Sequence, residues 1–252
     1  MILVLGGTKE GKEAAARLIS RGKKVKISVT TEYGASLLKG LEAEVIVSKL
    51  NPEKLRDILD SQEIKVVVDA THPFAEKITE AAIAACDDEK ADYVRYERPR
   101  IDFPPHLKVI KVENYQQAAD AAKNFDRILL TTGSKNLKKF VQSISRAQER
   151  LHIRILPLPE FLQRTISTGI SPDNIIAMKG PFSSELNRAI LGEYNIDVLV
   201  TKASGKTGGL PAKLEAASLE ETPVIIISRP DYNFPRVVNT GDELIEMLKL
   251  LT

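Results

Sequence analysis

The sequence predicts an α/β fold with two domains of mostly parallel sheet. Two observations predict it. Short apolar runs of strand length alternate with helical patterns along nearly the whole chain, and that rhythm breaks once, at a proline cluster near residue 100. Regular strand–helix alternation means parallel strands joined by helical crossovers. Two such halves imply a ligand cleft between them. The 252 residues are enough for two domains with real cores. A content of 43% hydrophobic and 28% charged residues argues against wholesale disorder.

The elements follow in order. Residues 2–5 are an apolar run expected as a buried strand, and 10–21 carry apolar positions at helical spacing. A strand at 24–29, a short helix at 33–38 and a strand at 43–47 come next. The helix at 52–59 has Pro52 near its first turn, where a missing N–H costs little. Residues 65–70, with Val66-Val67-Val68, form the most apolar strand of this half; a helix at 75–86 and a short strand at 92–95 complete it. The stretch from Arg98 to His106 then holds three prolines, which disfavour both helix and central strand. The junction is placed there, giving domains 1–100 and 101–252. Beyond it, strands are expected at 108–112, 127–131, 152–156, 175–178, 197–201 and 224–228, and helices at 115–123, 137–145, 184–191, 212–219 and 242–250. No internal sequence repeat is visible.

Several function classes are disfavoured. A net charge of +2 gives no global attraction for nucleic acid or a membrane surface, and 5% aromatic residues without Trp offer no stacking platform. The single cysteine, Cys86, lies in an Ala-rich helical run and reads as core packing in a reducing compartment. The N-terminal MILVLGG reads as a strand and not a signal peptide, and no stretch approaches a membrane span, so a cytoplasmic location is expected. No Cys/His cluster has metal-ligand spacing and no G-x-S-x-G elbow occurs, so no metal site is expected.

The strongest local signal is at the start. Gly6, Gly7 and Gly11 fall where the chain turns from strand into helix. Glycine there lets the backbone approach a ligand, and the helix start favours a pyrophosphate. The spacing departs from G-x-G-x-x-G because Thr8 holds the middle position. No carboxylate sits at the tip of the next strand, which reads Ile27-Ser28-Val29-Thr30-Thr31, although Glu32 is close. Hydroxyls there, with Lys9 in the loop, suit the 2′-phosphate of NADP better than the 2′-hydroxyl of NAD; the same residues are also ordinary β-formers.

In open α/β sheets, ligands bind outside the carboxyl ends of the strands. Unusual sequences fall at such ends: Asp69-Ala70-Thr71-His72-Pro73-Phe74, Tyr96-Glu97-Arg98-Pro99, Thr131-Thr132-Gly133-Ser134, Lys179-Gly180-Pro181-Phe182, and the segment from Lys202 to Gly209. The last contains Gly205-Lys206-Thr207, which mimics the end of a P-loop, but the required earlier glycine is Val200, so that reading is rejected. Its backbone can still bind an anion. His72, one of three histidines, is more often a hydrogen-bonded loop residue than a catalyst. Arg95, Arg98, Lys135, Lys179, Lys202, Lys206 and Lys213 recur at strand ends. They form either a solvated surface or a cleft for a ligand with several carboxylates.

The segments LGGTKEGKEAAARL, VDATHPFAEKI, YVRYERP, LLTTGSKNL, KGPFSSELN, VTKASGKTGGLPAKLEAA and VIIISRP occur in that order from Met1 to about Pro230. Together they resemble the precorrin-6A reductases of corrin (cobalamin) biosynthesis. The resemblance implies two Rossmann-like domains and NADPH as the donor of a hydride to a double bond of precorrin-6A or its cobalt-containing counterpart, giving precorrin-6B or its cobalt form. Lys12 stands where the family often has Arg, and Ala203 where it often has an acidic residue, which puts a proton-donor role at that position in doubt. On this reading Gly6, Gly7, Thr8, Glu10 and Gly11 hold the pyrophosphate, and Ser28, Thr30 and Thr31 hold the 2′-phosphoribose. Thr71, His72, Pro73 and Phe74 lie near the nicotinamide, and Ser204 and Gly205 close on NADPH. Arg98, Thr132, Gly133, Ser134, Lys179 and Lys213 face the tetrapyrrole. His72 and Lys202 are the candidates for proton donor. The expected partners are the tetrapyrrole and, beyond it, other corrin-pathway enzymes. The rival reading is a non-catalytic NADP- or tetrapyrrole-binding module.

Overall fold

The structure, a computed structural model, describes residues 1–89 and 91–251. It divides into two compact units, one formed by residues 1–99 with the chain from Pro230 onward, the other by Arg100–Arg229.

The first unit begins β1 (Ile2–Leu5), α1 (Lys9–Ser20), β2 (Val25–Val29), α2 (Glu32–Ser36), β3 (Glu44–Val47), α3 (Pro52–Ser61), β4 (Val66–Asp69), α4 (Glu76–Glu89) and β5 (Asp92–Tyr96). The second runs β6 (Val109–Val112), α5 (Tyr115–Ala122), β7 (Ile128–Leu130), α6 (Leu137–Ser143), α7 (Ala147–Arg150), β8 (Leu151–Ile155), α8 (Pro159–Ile166), a 3-10 turn, β9 (Ile175–Ala177), α9 (Ser184–Glu193), β10 (Val198–Lys202), α10 (Leu210–Leu219) and β11 (Val224–Ile227). The chain then ends in β12 (Val237–Val238) and α11 (Gly241–Leu251).

Each unit holds a six-stranded sheet, ordered β12-β5-β4-β1-β2-β3 in the first and β6-β11-β10-β7-β8-β9 in the second. Every pairing is parallel. Both sheets share one order, that of the dinucleotide-binding α/β fold, with the sixth position filled differently. In the first it comes from the end of the chain, in the second from the strand before the others.

The parallel pairing explains the apolar runs. A strand covered by helices on both faces must be hydrophobic on both. In β1, Ile2 and Val4 join Val25, Ile27, Val66 and Val68 against Ala14 and Leu18 of α1 and Leu244 and Leu248 of α11. Leu3 and Leu5 join Val67 on the opposite face, against Leu55 and Leu59 of α3 and Ala82 and Ala85 of α4. Cys86 is buried in that second layer, and burial pushes its thiol up to about 12, so it packs as an inert hydrophobe.

One expectation is corrected. Residues 101–252 do not form one domain, because the chain after Arg229 returns to the first unit. There β12 extends the sheet beside β5, with Val237 and Val238 opposite Arg95 and Tyr96, and α11 packs on α1. A two-residue strand carries no periodicity, so the return has no sequence signature beyond the amphipathic helix itself. The helices α7 and α8 are likewise additions; α8 opens on Pro159, where a missing N–H costs little.

Candidate functional site

In the first sheet, β1 leads to α1 on one face and β4 leads to α4 on the other, so the connections diverge between these two strands. That divergence opens a crevice at the strand ends, where such sheets take their ligands. The loop Gly6-Gly7-Thr8 forms one wall. Gly7 has a φ of +89° and is exposed. Gly11 is required by close approach, since a Cβ there would lie 2.8 Å from the Cα of Gly6. Thr8 caps α1 by accepting from the Gly11 N–H at 3.0 Å, and its hydroxyl donates to the Ala70 carbonyl at 2.7 Å, tying the β1 loop to the end of β4. A carboxylate at the first turn of α1 would repel a phosphate, but Glu10 is paired with Arg98 at 2.8 Å. The nearly buried Arg98 is therefore spent inside the first unit. Lys12 likewise donates to the Leu37 carbonyl.

At the next strand end, Thr30 is exposed and Thr31 caps α2 by accepting from the Gly34 N–H at 3.0 Å. Ser28 is different from the expectation. It sits inside the sheet, opposite Leu5 and Ile46, and is buried, so its hydroxyl does not reach a strand tip.

The other wall of the crevice rests on a buried ionic network. Asp69 is fully buried at the end of β4 and pairs with Arg95 at 2.9 Å. Its carboxylate also accepts from the Thr71 N–H and hydroxyl, the Thr79 hydroxyl and the Tyr93 hydroxyl. Arg95 donates to Glu97 at 2.8 Å and to the Thr71 carbonyl at 3.2 Å, and lies over the Phe234 ring. Burial works against ionisation of Asp69, but the guanidinium and the Thr71 and Thr79 hydrogen bonds outweigh it and hold the carboxyl below its usual range. Arg95 thus fixes the Thr71–Phe74 turn and is no free cation at a strand end. Within that turn the His72 Nδ1 accepts from the Phe74 N–H at 3.2 Å. That bond assigns the proton of the neutral ring to Nε2.

The second sheet repeats the arrangement between β7 and β10, whose following helices pack on α5 and on α9 respectively. The Thr131 hydroxyl donates to the Val200 carbonyl at 3.0 Å, joining the two strand ends. Thr132 and Ser134 are buried around Gly133, and Ser204 and Gly205 are buried after β10. The loop after β10 is folded tightly on itself: a Cβ on Gly208 would lie 2.1 Å from the Ser204 hydroxyl. Lys135, Lys179 and Lys206 are exposed.

Lys213, in the first turn of α10, is buried, with its ammonium donating to the Thr201 hydroxyl and the Gly208 carbonyl, both at 3.3 Å. Burial, with Arg154 and Lys202 nearby, pushes it down to about 7. Lys202 is pushed down to about 8 by burial and by Lys135. Arg154, near the end of β8, is buried over the Phe182 ring and donates to Asn187 at 2.8 Å. Sequence reading missed Arg154 because it sits mid-pattern in Leu151–Ile155, where a lone arginine reads as an outward strand residue. A cavity of about 550 Å³ lies in the same unit, walled by Ile101, Phe103 and Leu210, with Arg100, Lys111 and Arg229 and the single carboxylate Asp102 at its polar side. It adjoins Ala203 and Gly205 of the loop after β10.

The chain matches, over residues 1–249, the family described as precorrin-6x reductase CbiJ/CobK. It belongs to this family. A cobalt-precorrin-6A reductase of Priestia megaterium is 35% identical over 250 residues, covering 98% of either chain. One from Methanothermobacter thermautotrophicus is 34% identical over 99% of this chain and 84% of its own. A precorrin-6A reductase of Mycobacterium tuberculosis is 32% identical over 91% of this chain and 88% of its own. Among solved structures, one described as CobK precorrin-6A reductase superposes with a TM-score of 0.82 over 99% of this chain and 96% of that one, at 24% identity, and shows the same fold.

Membership in the precorrin-6x reductase family makes the chain an oxidoreductase of cobalamin biosynthesis. Among the described residues no cluster of metal-ligating side chains is present, and no helix is long and apolar enough to cross a membrane. The residues of the first crevice fit a dinucleotide. Gly7 opens into free space at positive φ, α1 starts beside it, and the one carboxylate of that turn is neutralised by Arg98.

Proposed function

We propose that this precorrin-6x reductase family member reduces a double bond of precorrin-6A, or of its cobalt counterpart, to the corresponding precorrin-6B with NADPH. The observation that carries this is the Gly6–Gly11 loop at the divergence point of a parallel sheet, in a chain that matches the reductase family over residues 1–249. NADPH, when bound, supplies the hydride. The chain's own residues bind, orient and protonate.

Gly6, Gly7, Thr8 and Gly11 hold the pyrophosphate, with Arg98 keeping Glu10 from repelling it. Thr30 and Thr31 hold the 2′-phosphoribose; the buried Ser28 supports the loop through its carbonyl, which accepts from the Gly6 N–H at 2.8 Å. The Thr71–Phe74 turn, fixed by Arg95, orients the nicotinamide, and Ser204 and Gly205 close on the cofactor. Thr132, Gly133, Ser134, Lys179 and Lys213 face the macrocycle. The apolar walls and cationic side of the second-unit cavity suit a flat ring edged with acids. Holding donor and acceptor in register lowers the barrier by up to roughly 7–11 kcal/mol in ideal cases.

The proton comes from Lys202 or His72. Lys202, pushed down to about 8, holds and releases a proton near neutrality; His72 donates only as an imidazolium, after its Nδ1 releases the Phe74 N–H. The reaction takes place in the cytoplasm, which suits a chain with one buried thiol.

The test is NADPH oxidation followed by its near-ultraviolet absorbance, with enzymatically prepared precorrin-6A and cobalt-precorrin-6A offered separately, and NADH in parallel. Substrate-dependent loss with NADPH and a much slower rate with NADH is the expected result. No loss with either tetrapyrrole while NADPH binds would leave the chain a binding module.

A further inference from the structure

Buried cations ordinarily have a counter-ion. Arg154 and Lys213 do not. Arg154 is 6% exposed and Lys213 8%, and neither forms an ion pair with a carboxylate among the described residues. The charged groups that act on Lys213 are Arg154 and Lys202, both of its own sign. Burial alone acts on Arg154. Such a cluster is costly in the free protein, and the fold nevertheless holds it in place. The guanidinium is clamped from two sides, by the Phe182 ring 4.5 Å away and by Asn187 on one N–H edge. Its remaining N–H groups have no acceptor among the described residues.

A second observation points to the same spot. Ser184 opens α9 one turn before Asn187 and so shares its helix face. Ser184 is 9% exposed, and its hydroxyl is buried without a hydrogen-bond partner. A rigid guanidinium fork, a buried ammonium and an unused hydroxyl at a helix start are the donor set that a carboxylate requires.

We propose that Arg154, Lys213 and Ser184 form a receptor for one carboxylate of the tetrapyrrole substrate. This rests on the reductase reading above. A carboxylate is favoured over a phosphate of the cofactor because the residues assigned to the pyrophosphate and the 2′-phosphoribose lie in the other unit, at the Gly6–Gly11 loop and at Thr30 and Thr31. The planar Arg154 fork also matches a planar acid. The receptor sets which acidic side chain of the ring is anchored and hence the orientation of the macrocycle.

The experiment measures KM for precorrin-6A and, separately, KM for NADPH in the full chain and in Arg154→Met, Lys213→Met and Ser184→Ala, with melting temperatures of the free proteins. Loss of a donor to a charged group costs about tenfold or more in affinity for the two cations and about threefold or more for the hydroxyl. The expected result is a rise of that size in KM for the tetrapyrrole, KM for NADPH within about twofold, and a Lys213→Met protein that melts no lower than the parent. A rise confined to KM for NADPH would overturn the proposal and give the site to a cofactor phosphate. Unchanged constants would overturn it too, as would a Lys213→Met chain that no longer folds, since Lys213 would then be structural; Ser184→Ala, a small change, reads the site even so. Absence of turnover in the parent chain would instead strike the reductase reading itself.

Discussion

The two units bury charge in opposite ways. In the first, Asp69, Arg95 and Glu97 form a closed network in which each ion faces its opposite and Thr71, Thr79 and Tyr93 fill the remaining donors and acceptors. In the second, Arg154 and Lys213 are buried near one another, and neither pairs with a carboxylate among the described residues. The first arrangement is complete without a ligand and holds a turn in shape. The second is incomplete by its own electrostatics and is understood only with an acid in place. Similar residue types at similar strand ends thus divide into scaffold and receptor, and burial alone does not tell them apart; the sign of the neighbours does.

The comparison is broken most severely at the closed network. Asp69→Asn leaves Arg95 buried without its main partner, and breaking such a pair costs about 3–5 kcal/mol. A urea midpoint moved by less than about 1 kcal/mol would show that the network is not the scaffold. Because Asp69 is held below its usual range, its stabilisation is present above pH about 4 and fades as acid is added. The parent's stability falls with acid more steeply than that of Asp69→Asn.

Lys213 gives a pH slope of the same sign in a different window, above neutrality instead of in acid. The unfolded chain keeps Lys213 protonated to about pH 10.5, the folded chain only to about 7, so between these values the unfolded state holds the extra proton. Stability therefore rises with pH, by roughly 1.4 kcal/mol per unit from this one group. Urea unfolding of Lys213→Met between pH 7.5 and 9.5 is expected to lack that slope.

Gly11→Ala comes next. Its new Cβ meets the Gly6 backbone, which has no flexible end to move aside, and such overpacking costs about 1–3 kcal/mol. The variant is expected to melt lower and to bind NADPH weakly in calorimetry. Thr8→Ala removes the α1 cap and its bond to Ala70, a loss of about 1 kcal/mol seen as a small drop in the urea midpoint.

Much of this was legible in the sequence. The inner strands announce themselves because parallel strands covered on both sides are apolar on both faces, and the glycine loop stands out by composition. What was hidden depends on the chain meeting itself. The C-terminal return hangs on a strand of two residues, Val237 and Val238, paired with β5. Arg95 looks like a ligand cation until Asp69 is seen beside it. Ser28 reads as a strand-tip hydroxyl until the sheet register buries it. Arg154 shows no signal at all, since its importance comes from Phe182, Asn187 and Lys213, which are distant in sequence.

The most direct test of the contrast is to titrate the Lys213 ε-amine by NMR in the full chain with labelled lysine, free and with precorrin-6A bound. The account predicts a midpoint near 7 in the free protein that climbs when the substrate carboxylate arrives. A midpoint that does not move on binding, in a chain that turns the substrate over, would contradict it.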